Sequence, residues 1–135
     1  MFEIVLQAQL DTYEQALAEL RRGRKQTHWM WFIFPQPKGL GRSETAQRFS
    51  LPSAMAAAAY LRHPVLGDRL REATRTVLLH SSTATAHDIF GSPDDLKFGS
   101  CMTLFAHASP GDPLFVQALE AFYGGAEDPE TLNRL

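Results

Sequence analysis

Apolar residues recur along most of the chain at spacings of three and four, the periodicity of one face of an α-helix. Tyr13, Leu17 and Leu20 follow this pattern after Asp11, a residue type that caps helix N-termini. Gly23 suits the left-handed position at which helices commonly end. The pattern predicts a first helix that begins near Asp11 and ends at Gly23.

Prolines divide the rest of the chain into further predicted helices. The residue before a proline disfavours helical torsions, and proline itself suits the first turn of a helix. Ser53 is expected to cap a helix over residues 54–62, and His63-Pro64 to end it and begin another. The same pairing of a polar residue with proline recurs three times, at Ser92-Pro93, Asp112-Pro113 and Asp128-Pro129. Helices are therefore predicted over about 93–107 and 113–123, the second closed by Gly124-Gly125, with loops over residues 35–43 and 80–92.

Residues 29–34 form the one stretch with the aromatic and β-branched content of a strand. No second run of this kind offers a partner, and a lone strand leaves its backbone hydrogen bonds unmade. We therefore expect this segment to be helical or irregular. The predicted fold is all-α, a single multihelical domain over residues 1–135 arranged as an orthogonal or irregular helical bundle.

Composition excludes several classes of protein. Of the 135 residues, 44% are hydrophobic and 21% are charged, which is ordinary globular usage. The net charge of −2 argues against a nucleic-acid partner or a polybasic membrane binder. The single cysteine, Cys101, excludes an internal disulfide and a multi-cysteine zinc site. Without an apolar run of about 20 residues or a recognisable secretory signal, the expected location is the cytoplasm.

Charge is distributed unevenly along the chain. Residues 21–48, the basic segment, hold seven basic residues and one acidic residue. Residues 88–135, the acidic segment, hold eight acidic residues and two basic ones. One interpretation is that the two segments pack close together and compensate each other. The other is a local anion-binding surface beside the tryptophans.

The aromatic stretch and its flanking cations suggest a binding site for an anionic, nucleotide-like molecule. Indole faces bind flat rings by stacking, and basic side chains bind phosphate. We expect Trp29 or Trp31 to stack a base, and the candidates for holding phosphate are Lys25, Arg42 and Lys97. Candidates for moving a proton are His28 and Asp94, with Gln36 and Ser100 as hydrogen-bonding groups. Alternatively, the aromatic residues form core and the cations are solvated surface.

Other candidate chemistry is weak. The five histidines show no metal-binding spacing, so neither a metal site nor a cofactor is predicted. Ser100 lacks the glycines of a nucleophile elbow, and Cys101 is of a type usually buried as a small apolar residue. Gly99 lies inside a predicted helix, where glycine costs about 1 kcal/mol relative to alanine. This glycine indicates close approach of another segment.

Three strings resemble a bacterial family called domain of unknown function 1810. They are THWMWFIFPQ at residues 27–36, LRHPVLGDRLRE at 61–72 and IFGSPDDLKFGSCMTLFA at 89–106. The resemblance implies a mainly helical protein without an assigned reaction. The family motif commonly has Ser-Ser-Met where this chain has Ser100-Cys101-Met102. Some members carry an automatic calpastatin label, but a disordered inhibitor is inconsistent with this hydrophobic content.

Two functional hypotheses remain open. The order of several segments is also similar to the NADAR group of helical N-glycosidases, which implies a ligand related to ADP-ribose or NAD and its hydrolysis. The first hypothesis is therefore a binding or enzymatic site for an anionic nucleotide-like molecule. The second is a noncatalytic protein-interaction module, monomeric or homodimeric, whose aromatic segment forms core or a partner surface.

Overall fold

The protein's structure, a computed structural model, describes residues 2–135. The fold of these residues is all-α, as expected, and a single isolated bridge between Pro37 and Leu51 is their only pairing of extended backbone. The helices are α1 (Glu3–Arg21), α2 (Met30–Ile33), α3 (Glu44–Arg48), α4 (Ala54–Arg62), α5 (Leu66–Leu78), α6 (Ala86–Phe90), α7 (Asp94–Ala108), α8 (Leu114–Tyr123) and α9 (Pro129–Leu132).

Helix α7 forms the centre of the fold. Every residue from 98 to 106 is buried, because α4, α6, α8 and α9 all pack against this helix. A helix that is covered on all sides carries small and apolar residues around its whole circumference. Gly99 illustrates the consequence, since a Cβ atom there would lie 3.2 Å from the Tyr123 ring. The close approach expected at Gly99 is confirmed.

Several predicted helix ends are confirmed by their hydrogen bonds. The Ser53 hydroxyl accepts from the Ala56 amide at the start of α4, and the Asp128 carboxylate accepts from the Thr131 amide at the start of α9. Gly23 and Gly124 have φ values of +79° and +63°, in the left-handed region that favours glycine.

The predicted start of the first helix is wrong. Helix α1 begins at Glu3, eight residues before Asp11, and Asp11 lies within it. Its buried face includes Gln9, which is 2% exposed. The Gln9 amide donates to the Phe32 carbonyl at 2.8 Å, and its oxygen accepts from Arg69 at 3.1 Å. A polar residue at a core position interrupted the apolar pattern, so the first turns could not be recognised.

Pro129 is the first residue of α9, as expected, whereas Pro64, Pro93 and Pro113 lie just outside the helices that they were expected to begin. Pro64 precedes α5, and the His63 ring nitrogen accepts from the Val65 and Leu66 amides in place of a side-chain hydroxyl. Pro93 precedes α7, and the Ser92 side chain does not cap that helix. The predicted loop over residues 80–92 contains α6, which Thr85 and Asp88 begin with a capping box. The short helix α3 was not predicted.

The aromatic stretch forms one turn of helix, α2, within an otherwise irregular segment, as expected. Trp29 and Phe34 are 1% and 0% exposed. The Phe34 ring packs edge-on against the rings of Phe90 and Phe98, at centroid distances of 5.8 and 5.0 Å. Most of the stretch is therefore core, and α2 fixes the positions of the residues on either side of it.

Candidate functional site

A buried carboxylate, that of Glu19, holds the segment that leads into α2. Glu19 is 0% exposed, and its Oε1 accepts hydrogen bonds from the amides of Gln26 and Thr27 and from the Trp29 indole, at 2.6, 2.9 and 2.9 Å. Its Oε2 accepts from the Thr27 hydroxyl at 2.6 Å and from Gln15 at 2.9 Å. Burial favours the neutral acid, but these hydrogen bonds outweigh it and lower the pKa of Glu19 to about 2. The charged carboxylate therefore fixes the backbone beside Lys25.

Two lysines share the carboxylate of Asp94, at the start of α7. Lys25 Nζ lies 2.9 Å from Asp94 Oδ2, and Lys97 Nζ lies 3.4 Å from Asp94 Oδ1. Each ammonium group also lies over an indole, with Lys25 5.2 Å from the Trp29 ring centroid and Lys97 4.8 Å from that of Trp31. The Lys25–Asp94 pair joins the basic segment to the acidic segment.

A groove lies beside this arrangement, between α7, α9 and the loop after α2. We call it the Trp31 groove, and its volume is about 260 Å³. It is lined by Trp31, Gln36, Leu40, Gly41, Ala46, Pro93, Leu96, Lys97, Ser100, Asp128 and Glu130. The lining combines a partly exposed aromatic ring with a cation, an amide, a hydroxyl and two carboxylates. This combination can bind a flat ring that carries both anionic and hydrogen-bonding groups.

Gln36 presents a hydrogen-bond acceptor to the groove. Its amide nitrogen donates to the Phe34 carbonyl at 3.1 Å and to the Lys97 carbonyl at 2.8 Å, which occupies both N–H groups. No buried polar side-chain atom of the described residues lacks a partner. The Gln36 oxygen, which has no partner within those residues, is therefore accessible to solvent. It can accept from an amino or amide group of a ligand.

Ser100 and Asp128 form the polar wall one helical turn beyond Lys97. The Ser100 hydroxyl lies 3.1 Å from Asp128 Oδ2. The same oxygen accepts from the Thr131 amide and hydroxyl at 2.9 and 2.7 Å, while the Asp128 amide donates to Thr103 on α7. These contacts fix the Asp128 carboxylate against α7.

The rim of the groove is held by packing around two glycines. Arg134 donates to the Gly39 carbonyl at 3.2 Å, and a Cβ atom on Gly39 would lie 2.9 Å from the Arg134 side chain. A Cβ atom on Gly41 would lie 2.3 Å from that of Ala46. These glycines therefore permit close approach of protein atoms.

The structure brings together six of the nine site residues proposed from the sequence. Those that line the groove are Trp31, Gln36, Lys97 and Ser100, with Asp94 and Lys25 directly behind Lys97. Trp29 lies in the core, with its indole nitrogen bound to Glu19, so a ligand cannot stack on it without repacking. His28 and Arg42 are exposed and do not line the groove.

Three residues that shape this site were not predicted from the sequence: Glu19, Asp128 and Glu130. Asp128 carried a signal, the Asp-Pro pair, but that signal has a sufficient explanation as a helix cap. Glu19 lies among exposed charged residues in the sequence, and only the fold buries it. No group of three or more metal-ligating side chains is found among residues 2–135, and none of their helices has the length and apolar character needed to cross a bilayer.

The comparisons with known proteins agree on family and fold. A family described as "Protein of unknown function (DUF1810)" matches residues 2–135. The crystal structure of the conserved hypothetical protein Rv1873 from Mycobacterium tuberculosis is 45% identical in sequence, with a TM-score of 0.94, over 99% of this chain and 95% of that one. No curated protein matches the sequence.

Proposed function

This chain belongs to the DUF1810 family, and we propose that it binds a nucleotide-like anion of nucleoside monophosphate size in the Trp31 groove. The observation that carries the proposal is the position of the Lys97 ammonium group, 4.8 Å from the centroid of the partly exposed Trp31 ring. The ammonium group lies over one face of the indole, so a base whose phosphate binds Lys97 packs against the part of the exposed ring that Lys97 leaves uncovered.

The charge on Lys97 is available to a ligand. The distance of 3.4 Å between Lys97 Nζ and Asp94 Oδ1 exceeds that of a normal charge-assisted hydrogen bond. Asp94 makes its shorter contact, 2.9 Å, with Lys25, whose side chain is only 8% exposed. Lys25 therefore offsets much of the charge on Asp94, and the ammonium group of Lys97 keeps donors for a phosphate.

The size of the groove limits the ligand. Pockets that enclose drug-sized molecules have volumes of about 300–1,000 Å³, and the Trp31 groove has about 260 Å³. A nucleoside monophosphate suits this volume. ADP-ribose or NAD would bind with one half in the groove and the other half outside it.

The proposal is one of binding, without a catalytic step. His28 lies outside the groove lining, and both carboxylate oxygens of Asp94 face lysine ammonium groups. Asp94 is thus a positioning residue for Lys97. Hydrolysis of the ligand would need a residue in the groove that moves a proton. Neither candidate for that role, His28 or Asp94, lines the groove.

Calorimetric titration of the wild type with the common nucleoside monophosphates, ADP-ribose, NAD and inorganic phosphate tests this proposal. We expect the monophosphates to bind more tightly than inorganic phosphate, since only they also pack against the Trp31 ring. Lys97→Met should weaken binding by about tenfold or more, which is the effect expected from the loss of a hydrogen bond to a charged group. The matched control is Lys38→Met, at an exposed lysine outside the groove lining. Absence of binding by every probe at millimolar concentration would refute the proposal.

A second candidate function, protein interaction, is supported by an apolar surface on α1 and α5. Leu10 is 71% exposed and Val65 is 38% exposed, beside a cavity of about 420 Å³. Sedimentation of the wild type and of Leu10→Lys tests self-association through this surface. Self-association that this substitution abolishes would support the interaction function, while a monomer in both cases would count against a homodimer through this surface.

A further inference from the structure

We propose that Asp128 binds the hydroxyl groups of the ligand's sugar, so that the Trp31 groove takes a ribonucleotide in preference to its deoxy counterpart. This inference rests on the proposed function and names the ligand more closely. It uses a residue that the sequence presents only as a helix cap.

The two oxygens of the Asp128 carboxylate have different surroundings. Oδ2 accepts from the Thr131 amide, the Thr131 hydroxyl and the Ser100 hydroxyl, at 2.9, 2.7 and 3.1 Å. Oδ1 accepts from no described residue. Since no buried polar side-chain atom of those residues lacks a partner, Oδ1 is open to solvent. The carboxylate is therefore held rigidly by one oxygen while the other remains free to bind.

A free carboxylate in a groove requires a ligand that donates hydrogen bonds. Lys97 and Ser100 are three residues apart on α7, and Ser100 contacts Asp128 directly. The backbone positions of Lys97 and Ser100 lie about one helical turn apart, ~5 Å along α7, and Lys97 and Asp128 line the same groove. A ligand that contacts both must carry an anionic group and hydroxyl donors within one small molecule. A sugar phosphate has this arrangement.

Glu130 is less suited to this role, although it also lines the groove. Its carboxylate already accepts from Arg134 at 3.2 Å, and the Arg134 guanidinium also donates to the Gly39 carbonyl. Glu130 thus holds the rim of the groove. One oxygen of each carboxylate is without a partner among the described residues, but the Glu130 side chain is 66% exposed and is held by Arg134 alone. Asp128 is held by three contacts on its Oδ2, and this more rigid placement assigns the sugar-binding role to Asp128.

The test compares adenosine monophosphate with its 2′-deoxy and 3′-deoxy analogues by calorimetry. A hydroxyl hydrogen bond to a charged acceptor predicts that the wild type binds the ribonucleotide about tenfold more tightly than at least one analogue. Asp128→Asn converts the free acceptor into a donor and keeps a good N-cap residue for α9. Because the hydrogen bond is no longer to a charged acceptor, this variant should show a smaller preference for the ribonucleotide than the wild type. Glu127→Gln, a neighbouring substitution outside the groove lining, should keep the wild-type preference.

The outcomes separate this inference from the proposed function. Equal binding of the three nucleotides by the wild type would overturn the sugar-binding role and leave the proposed function standing, as would an undiminished preference in a folded Asp128→Asn. Binding of none of the three would overturn the sugar-binding role, and failure of the other monophosphates, ADP-ribose, NAD and phosphate as well would overturn the proposed function. Because the wild type alone measures the preference, the test does not depend on the variant's folding.

Discussion

Replacing Glu19 with glutamine removes the negative charge that organises the segment before α2. Glutamine has the shape of the protonated acid, and its oxygen can still accept from the three N–H groups that Oε1 binds. Its amide nitrogen would face the Thr27 hydroxyl and Gln15, both of which can also accept. The substitution therefore tests the charge of Glu19 with little change in packing.

The expected loss follows from the pKa of Glu19. That pKa is about 2 in the folded protein, against an ordinary value of 4.5. Each unit of difference corresponds to about 1.4 kcal/mol, so the charged form stabilises the fold at neutral pH by about 3 kcal/mol relative to the neutral acid. For a chain of this length, Glu19→Gln should lower the melting temperature by about 10 °C.

The sign of the pH dependence is fixed by the direction of the pKa shift. Because the folded pKa lies below the unfolded one, the stabilisation is complete above pH 4.5 and is lost as the pH falls towards about 2. The free energy of urea unfolding of the wild type should fall over this pH range. That of Glu19→Gln should fall by less, because the variant lacks the Glu19 charge. The matched control is Glu14→Gln, at an exposed position of the same helix. Equal stability of the two variants at pH 7 would refute the reasoning. So would an equal decrease in the free energy of unfolding of the wild type and of Glu19→Gln as the pH falls.

Three further predictions concern packing, charge and the thiol. Gly67→Ala should lower the free energy of urea unfolding by about 3 kcal/mol, since a Cβ atom there would lie 2.0 Å from a backbone carbonyl oxygen. A Cβ atom on Gly111 would meet nothing within 4 Å, so Gly111→Ala should leave the stability unchanged. Equal effects of the two substitutions would contradict this prediction. Lys25→Met should lower the free energy of unfolding by about 2 kcal/mol, because Asp94 loses its partner at 2.9 Å, and an unchanged value would contradict the pairing. Burial raises the pKa of the Cys101 thiol, so a thiol reagent should react only after denaturation; rapid reaction of the native protein would be inconsistent with the fold.

Sequence patterns predicted the helices best where a side chain caps its own helix. Ser53, Asp128 and Gly124 act within a few residues of their own positions, so their roles depend on local geometry alone. The start of α1 could not be found in this way, because Gln9 is buried through contacts with distant Phe32 and Arg69. The partners of such a residue are known only once the helices pack.

The candidate site was predictable in its residue types and only partly in its arrangement. The aromatic motif indicated Trp31, and Lys97 was among the candidates for holding phosphate, but the sequence could not separate Trp31 from Trp29. That separation depends on Glu19, which binds the Trp29 indole and fixes it in the core. Asp128 reaches the groove through the packing of α9 on α7, a long-range contact without a local signal.

The indole N–H signals of the two tryptophans in a nuclear magnetic resonance spectrum test the central claim most directly. The Trp29 N–H is buried and bound to Glu19, so it serves as an internal reference, while Trp31 lines the groove. Trp31→Phe assigns the two signals. On titration with adenosine monophosphate to millimolar concentration, the Trp31 signal should shift in a saturable manner and the Trp29 signal should stay in place. A Trp31 signal that does not move, or a shift of Trp29 alone, would contradict binding in the Trp31 groove.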